Sequence, residues 1–121
     1  MSAPSVAGGW TRVCELSRLL PERGVPALVD GRPVALFLLD DGSVHAVGHQ
    51  DPFSNANVMA RGIVGSVGEG AGYRNTIASP MYKQVFDLAT GECLTEPGRQ
   101  LPVWPVRIVD DHVEVGHGGP P

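Results

Sequence analysis

The sequence predicts an all-β domain, a small barrel or sandwich. Three observations carry this reading. Short apolar runs recur at near-regular spacing, Asp-Gly or Asp-rich turns separate them, and the chain spends 16 Gly and 11 Pro on punctuation. No helical periodicity lasts beyond about two turns; the best stretch, Glu15 to Leu20, is stopped by Pro21.

Taken in order, Trp10 to Cys14 is expected to open the domain as an edge strand. Ala27 to Val29 and Pro33 to Leu39 flank Asp30-Gly31, a pair suited to a two-residue hairpin because Gly accepts a positive φ. Val34 to Leu39 then meets Val44 to Val47 across Asp40-Asp41-Gly42-Ser43. Gln84 to Leu88 leads through Thr90-Gly91 to Glu92 to Leu94, and Val103 to Val109 pairs with His112 to Val115 across Asp110-Asp111. Two stretches, His49 to Arg61 and Ser66 to Tyr82, do not fit the hairpin scheme and read as long loops of the kind that carry function.

Bulk properties narrow the function classes. With 121 residues, 42% hydrophobic and 18% charged, the chain suits one globular domain, here residues 10–115, between Gly/Pro-rich tails at 1–9 and 116–121. A net charge of -4 without a basic cluster argues against nucleic acid or an anionic membrane as partner. The longest apolar run, Val34 to Leu39, is too short to span a bilayer. The N-terminal MSAPSVAGG has neither the basic nor the apolar region of a secretory signal, so a cytoplasmic protein is expected. Cys14 and Cys93 match no zinc or disulfide framework and read as reduced, packed thiols.

The two loops resemble those of Rieske proteins, which hold a [2Fe–2S] cluster between a Cys-x-His and a later Cys-x-x-His motif. In the ferredoxin branch the first motif carries a Pro, and the second is followed by Phe-Asp and a Thr-Gly turn. Here Ser79-Pro80-Met81-Tyr82 precedes Phe86-Asp87-Leu88 and Thr90-Gly91, in register. In the first loop, alignment on Pro52 puts Asp51 at the Cys position and Phe53 at the His position. Both spacings survive, and Asp51, Phe53, Ser79 and Tyr82 replace every ligand. Such a cluster needs two thiolates on one iron and two imidazoles on the other. Phe53 has no lone pair to give, and Tyr82 is a phenol with a reference pKa of about 10. No cofactor is therefore expected in this chain.

Longer stretches are similar to the small subunit of the assimilatory NAD(P)H-dependent nitrite reductase family. They are Asp51-Pro52-Phe53-Ser54, Ala60-Arg61-Gly62-Ile63-Val64-Gly65, Ser79-Pro80-Met81-Tyr82-Lys83-Gln84 and Phe86-Asp87-Leu88, with Trp10, Val13 and Cys14, Arg23-Gly24-Val25 and Val34 to Phe37 in support. The departure is a Gly-rich insert, Gly68 to Arg74, ahead of a strand Asn75 to Ala78. The resemblance implies a Rieske-like fold and a non-catalytic role beside a large subunit that reduces nitrite to ammonium. FAD, a [4Fe–4S] cluster and sirohaem would belong to that partner, since this chain has neither a dinucleotide fingerprint nor a four-Cys motif.

A docking role is the expectation, with Phe53 and Tyr82 as aromatic contacts and Arg61 and Lys83 at their rim. Alternatively, Phe53 and Tyr82 pack on each other and fill the vacated volume. Two other functions stay open: a Rieske-type ferredoxin for an oxygenase, and a mononuclear metal protein using His45, His49 and Asp51. His112 and His117 suggest only solvation, in a turn and a tail.

Overall fold

Turn chemistry sets the connectivity. The computed structural model describes residues 5–6 and 9–116. Eleven strands appear there: β1 (Ser5–Val6), β2 (Trp10–Glu15), β3 (Gly24–Val29), β4 (Arg32–Leu38), β5 (Val44–Gly48), β6 (Ile63–Val67), β7 (Arg74–Ala78), β8 (Val85–Asp87), β9 (Val103–Trp104), β10 (Val106–Val109) and β11 (His112–Gly116). They form three antiparallel sheets, ordered β1-β2-β11-β10, β3-β4-β5-β9 and β6-β7-β8.

Val29 pairs with Arg32, so Asp30 and Gly31 alone make the turn, at φ 52° and 77°. This is the left-handed pair that matches strand twist. Val109 likewise pairs with His112 across Asp110 and Asp111, at φ 51° and 61°. Aspartate tolerates that region better than most residues, so the hairpin closes without glycine. Between β4 and β5, Asp41 Oδ1 accepts from the Ser43 amide at 2.9 Å and its hydroxyl at 2.6 Å, while Gly42 takes φ 88°.

β4 is the wall between two cores. Val34 and Leu36 pack with Val29, Ala46, Trp104, Val113 and Val115 on one side. Ala35 and Phe37 pack with Val47, Met59, Ile77, Phe86 and Leu101 on the other. A strand buried on both faces needs a continuous apolar run rather than alternation, and Val34 to Phe37 is that run.

Several expectations change in detail. β2 lies between β1 and β11 rather than at an edge. Glu15 to Leu20 yields only a 3₁₀ turn at Leu16–Arg18. Pro105, lacking an amide hydrogen, separates β9 from β10. Glu92 to Leu94 makes isolated bridges and loop contacts instead of a strand. Much of the supposed loop after Ser66 is a hairpin: β6 pairs with β7 from Ile63↔Ala78 to Val67↔Arg74, and the insert forms a tight 3₁₀ turn at Gly70–Gly72. Cys14 is half-buried and Cys93 buried, both as free thiols. Most of the tail residues lie outside the described ones; of those described, Ser5–Val6 pair with β2, and Gly116 pairs with Trp10.

Candidate functional site at the two loop tips

Loop 1 leaves β5 and folds back on itself. The His49 carbonyl accepts from the Val58 and Met59 amides, each at 3.0 Å. Asp51 N donates to Ala56 O at 2.8 Å, and Asn55 N donates to Asp51 O at 2.7 Å, with Asn55 in the left-handed region. A 3₁₀ turn at Met59–Arg61 then anchors the loop by burying Met59 and Ala60. Loop 2 is shorter. Ser79 N donates to Gln84 O at 2.9 Å, Lys83 N donates to Ser79 O at 3.1 Å, and Lys83 closes the turn at φ 63°.

Asp51 and Ser79, expected from the resemblance at the two Cys positions, meet. Ser79 Oγ donates to Asp51 Oδ2, and both side chains are buried. Asp51 Oδ1 accepts from the Phe53 amide at 2.7 Å and the Ser54 amide at 3.4 Å, and Ser79 Oγ accepts from the Met81 amide at 3.2 Å. A fully buried carboxylate is tolerable only with such partners. Phe53 and Tyr82, expected from the resemblance at the two His positions, diverge. Phe53 is half-buried, its ring 6.3 Å from that of Phe86 and tilted by 49°. Tyr82 is 59% exposed, between exposed Met81 and Lys83. Phe53 thus packs beside Phe86, whereas Tyr82 projects outward. Arg61 is also exposed.

Sequence reasoning missed Arg99. Its guanidinium donates to the Pro52 carbonyl at 2.6 Å and lies 5.1 Å from the Phe53 ring centroid. Thus the segment after β8 straps loop 1 from outside. No local signal announces it, because the contact spans 47 residues of chain.

These residues do not fit a [2Fe–2S] centre. Ser79 Oγ and Asp51 Oδ2 are hydrogen-bonded to each other, neither is a thiolate, and neither Phe53 nor Tyr82 offers an imidazole. The alternative metal set does not assemble either. His45 Nε2 lies 3.2 Å from Ser43 Oγ, His49 Nδ1 accepts from the Ala60 amide at 3.2 Å, and Asp51 is spent as above. Among the described residues, no three His, Cys, Asp or Glu side chains converge as a metal site would need. Burial pushes both His45 and His49 toward the neutral form, below the ordinary histidine range.

Residues 9–116 match the Rieske-like [2Fe-2S] domain family. The nitrite reductase (NADH) small subunit of Escherichia coli K12 is 32% identical over 108 residues, covering 88% of this chain and 95% of that one. A crystal structure assigned to the NADH-dependent nitrite reductase small subunit of Mycobacterium tuberculosis is 49% identical, with a TM-score of 0.80 over 89% of this chain and 94% of that one. The same fold recurs in the ferredoxin of carbazole 1,9a-dioxygenase from Nocardioides aromaticivorans IC177, at 22% identity and a TM-score of 0.74, covering 89% of this chain and 97% of that one. The nitrite reductase [NAD(P)H] large subunit of Klebsiella oxytoca is 32% identical over 108 residues, 89% of this chain; the chain spans only 11% of that protein's length.

Proposed function

This chain belongs to the Rieske-like domain family, among its nitrite reductase [NAD(P)H] small subunits, and on that premise we propose that it serves as a non-catalytic docking subunit. The observation that carries the reading is the Asp51–Ser79 hydrogen bond. It closes the tip with a side-chain pair that has no redox chemistry, while Tyr82 and Lys83 on loop 2 and Arg61 at the end of loop 1 stay exposed. The partner is a nitrite reductase large subunit. A region similar to this chain lies within the Klebsiella oxytoca large subunit, which supports physical association of the two. Reduction of nitrite to ammonium, with the FAD, [4Fe–4S] and sirohaem it requires, is assigned to that partner. A cytoplasmic complex is part of this proposal. Among the described residues no helix is long and apolar enough to cross a membrane.

Exposed Tyr82 is a suitable hot-spot residue, with Lys83 and Arg61 as rim contacts, and half-buried Phe53 supports the loop beneath. The test is co-purification with the large subunit. Tyr82→Ala combined with Lys83→Ala should weaken association about tenfold or more in a chain that melts like wild type. Undiminished association would remove the tip from the interface. Iron content and visible absorption of the purified chain test the rest: stoichiometric iron with a sulfide-cluster spectrum would favour an electron-transfer ferredoxin instead.

A further inference from the structure

Strand β6 is an unguarded edge. It is the outer strand of its sheet, and among the described residues nothing pairs with its free side. Natural edges are shortened, charged, bulged or interrupted by proline to prevent strand addition. Other edges here follow that rule. β3 carries Pro26, β10 carries exposed Arg107, β8 is covered on its free side by Glu92, Cys93 and Leu94, and β1 and β9 are two residues long. β6 reads Ile-Val-Gly-Ser-Val, without charge or proline, and pairs in unbroken register with β7. Ile63 is 72% exposed and Val67 42% exposed.

The strand also joins two distinctive regions. At its start, Ile63 follows Arg61-Gly62 of loop 1 and pairs with Ala78, immediately before Ser79. Beside its middle, a groove of about 400 Å³ is lined by Val64, Ser66 and Tyr73 together with the acidic Glu22, Asp40 and Asp41. Among the described residues no ion pair reaches Glu22, Asp40 or Asp41, although Asp41 accepts from Ser43. The hydrogen bond to Asp40, and then the Asp40 charge, push the Glu22 carboxyl above the usual range, and Glu22 is held at φ 65°. On the β7 side, Arg74 is engaged by Asp87 at 3.3 Å and Glu92 at 3.5 Å.

We propose that the free edge of β6 accepts an extended, basic segment of the nitrite reductase large subunit as an added strand. Lys or Arg side chains of that segment sit against Glu22, Asp40 and Asp41. Main-chain hydrogen bonds to β6 supply affinity, and the apolar face of Ile63 and Val67 together with the acidic groove supplies selectivity. A second copy of this chain is a poor occupant, because it would bring an equally acidic groove to the same edge. The proposal rests on the docking reading above and extends it, since β6 begins at the tip.

The experiment measures affinity between the full chain and the large subunit, with hydrogen exchange on the complex. Ile63→Lys with Val67→Lys adds edge guards at exposed positions and should weaken binding about tenfold or more. Glu22→Gln with Asp40→Asn should weaken it less and flatten its salt dependence. The β6 amides should become protected in the wild-type complex. Unchanged affinity of the lysine variant, with β6 amides as exposed in the complex as in the free chain, overturns the proposal; if Tyr82→Ala with Lys83→Ala still loses binding, the docking reading stands. Loss in the lysine variant with normal binding by the tip variant supports the edge and removes the tip. Failure of the wild-type chains to associate overturns both. Self-association of the chain alone, abolished by the lysine substitutions, reassigns the edge to a homodimer and overturns the large subunit as occupant.

Discussion

Asp51 and Ser79, which the loop resemblance sets at Cys positions, and Phe53 and Tyr82, which it sets at His positions, have opposite surroundings on the same loops. Asp51 and Ser79 are buried and bonded to each other, with three loop amides gathered on their oxygens. Phe53 and Tyr82 share no such contact: one ring lies on Phe86 under Arg99, and the other stands in solvent. Positions that face inward must be re-satisfied by polar partners when their chemistry changes, because an orphaned buried group is costly. Positions that face outward carry no such obligation and are available for a partner.

Asp51→Ala would test this contrast hardest. It strips the acceptor from the Phe53 and Ser54 amides and the Ser79 hydroxyl, and should cost about 3 kcal/mol in urea denaturation. A cost no larger than that of Tyr82→Ala would break the comparison. Glu114 offers a second buried carboxylate, neutralised by arginines rather than by loop donors. The Arg107 hydrogen bond, with that of Arg12 in support, holds its carboxyl below the usual range. Its stabilisation should be complete above the unfolded carboxylate pKa of about 4.3 and be lost as pH falls through the lower folded value. Melting curves from neutral pH to acid should show this, and Glu114→Gln should flatten that part of the profile.

Arg99→Ala removes the strap over Phe53 and Pro52 and should cost about 1 kcal/mol, with loop 1 amides exchanging faster. The smallest stability effect belongs to Tyr82→Ala, within about 0.5 kcal/mol of wild type because the ring is exposed. Its consequence should appear in association with the large subunit.

What the sequence reveals follows from how local the physics is. Asp30-Gly31 and Asp110-Asp111 announce their hairpins because a two-residue turn is decided by its own φ preferences. The spacing of Asp51 and Ser79 within similar motifs marks them in sequence as counterparts of the Cys positions. Their mutual bond joins residues 28 apart in sequence and emerges only from the packing of two loops. β6 was harder to see: Gly65 and Ser66 dilute its alternation, and the Gly-rich turn after it reads as more loop. Phe53 and Tyr82 carry the same aromatic label in sequence, and only the burial of Phe86 beside loop 1 separates an interior ring from an exterior one.

The Asp51–Ser79 pair also changes what the domain requires in order to mature. A tip bridged by iron is finished only after metal and sulfide are delivered, and it can be undone by oxidation or by scarcity of either. A tip bridged by a hydrogen between two side chains of one polypeptide is finished when the chain folds.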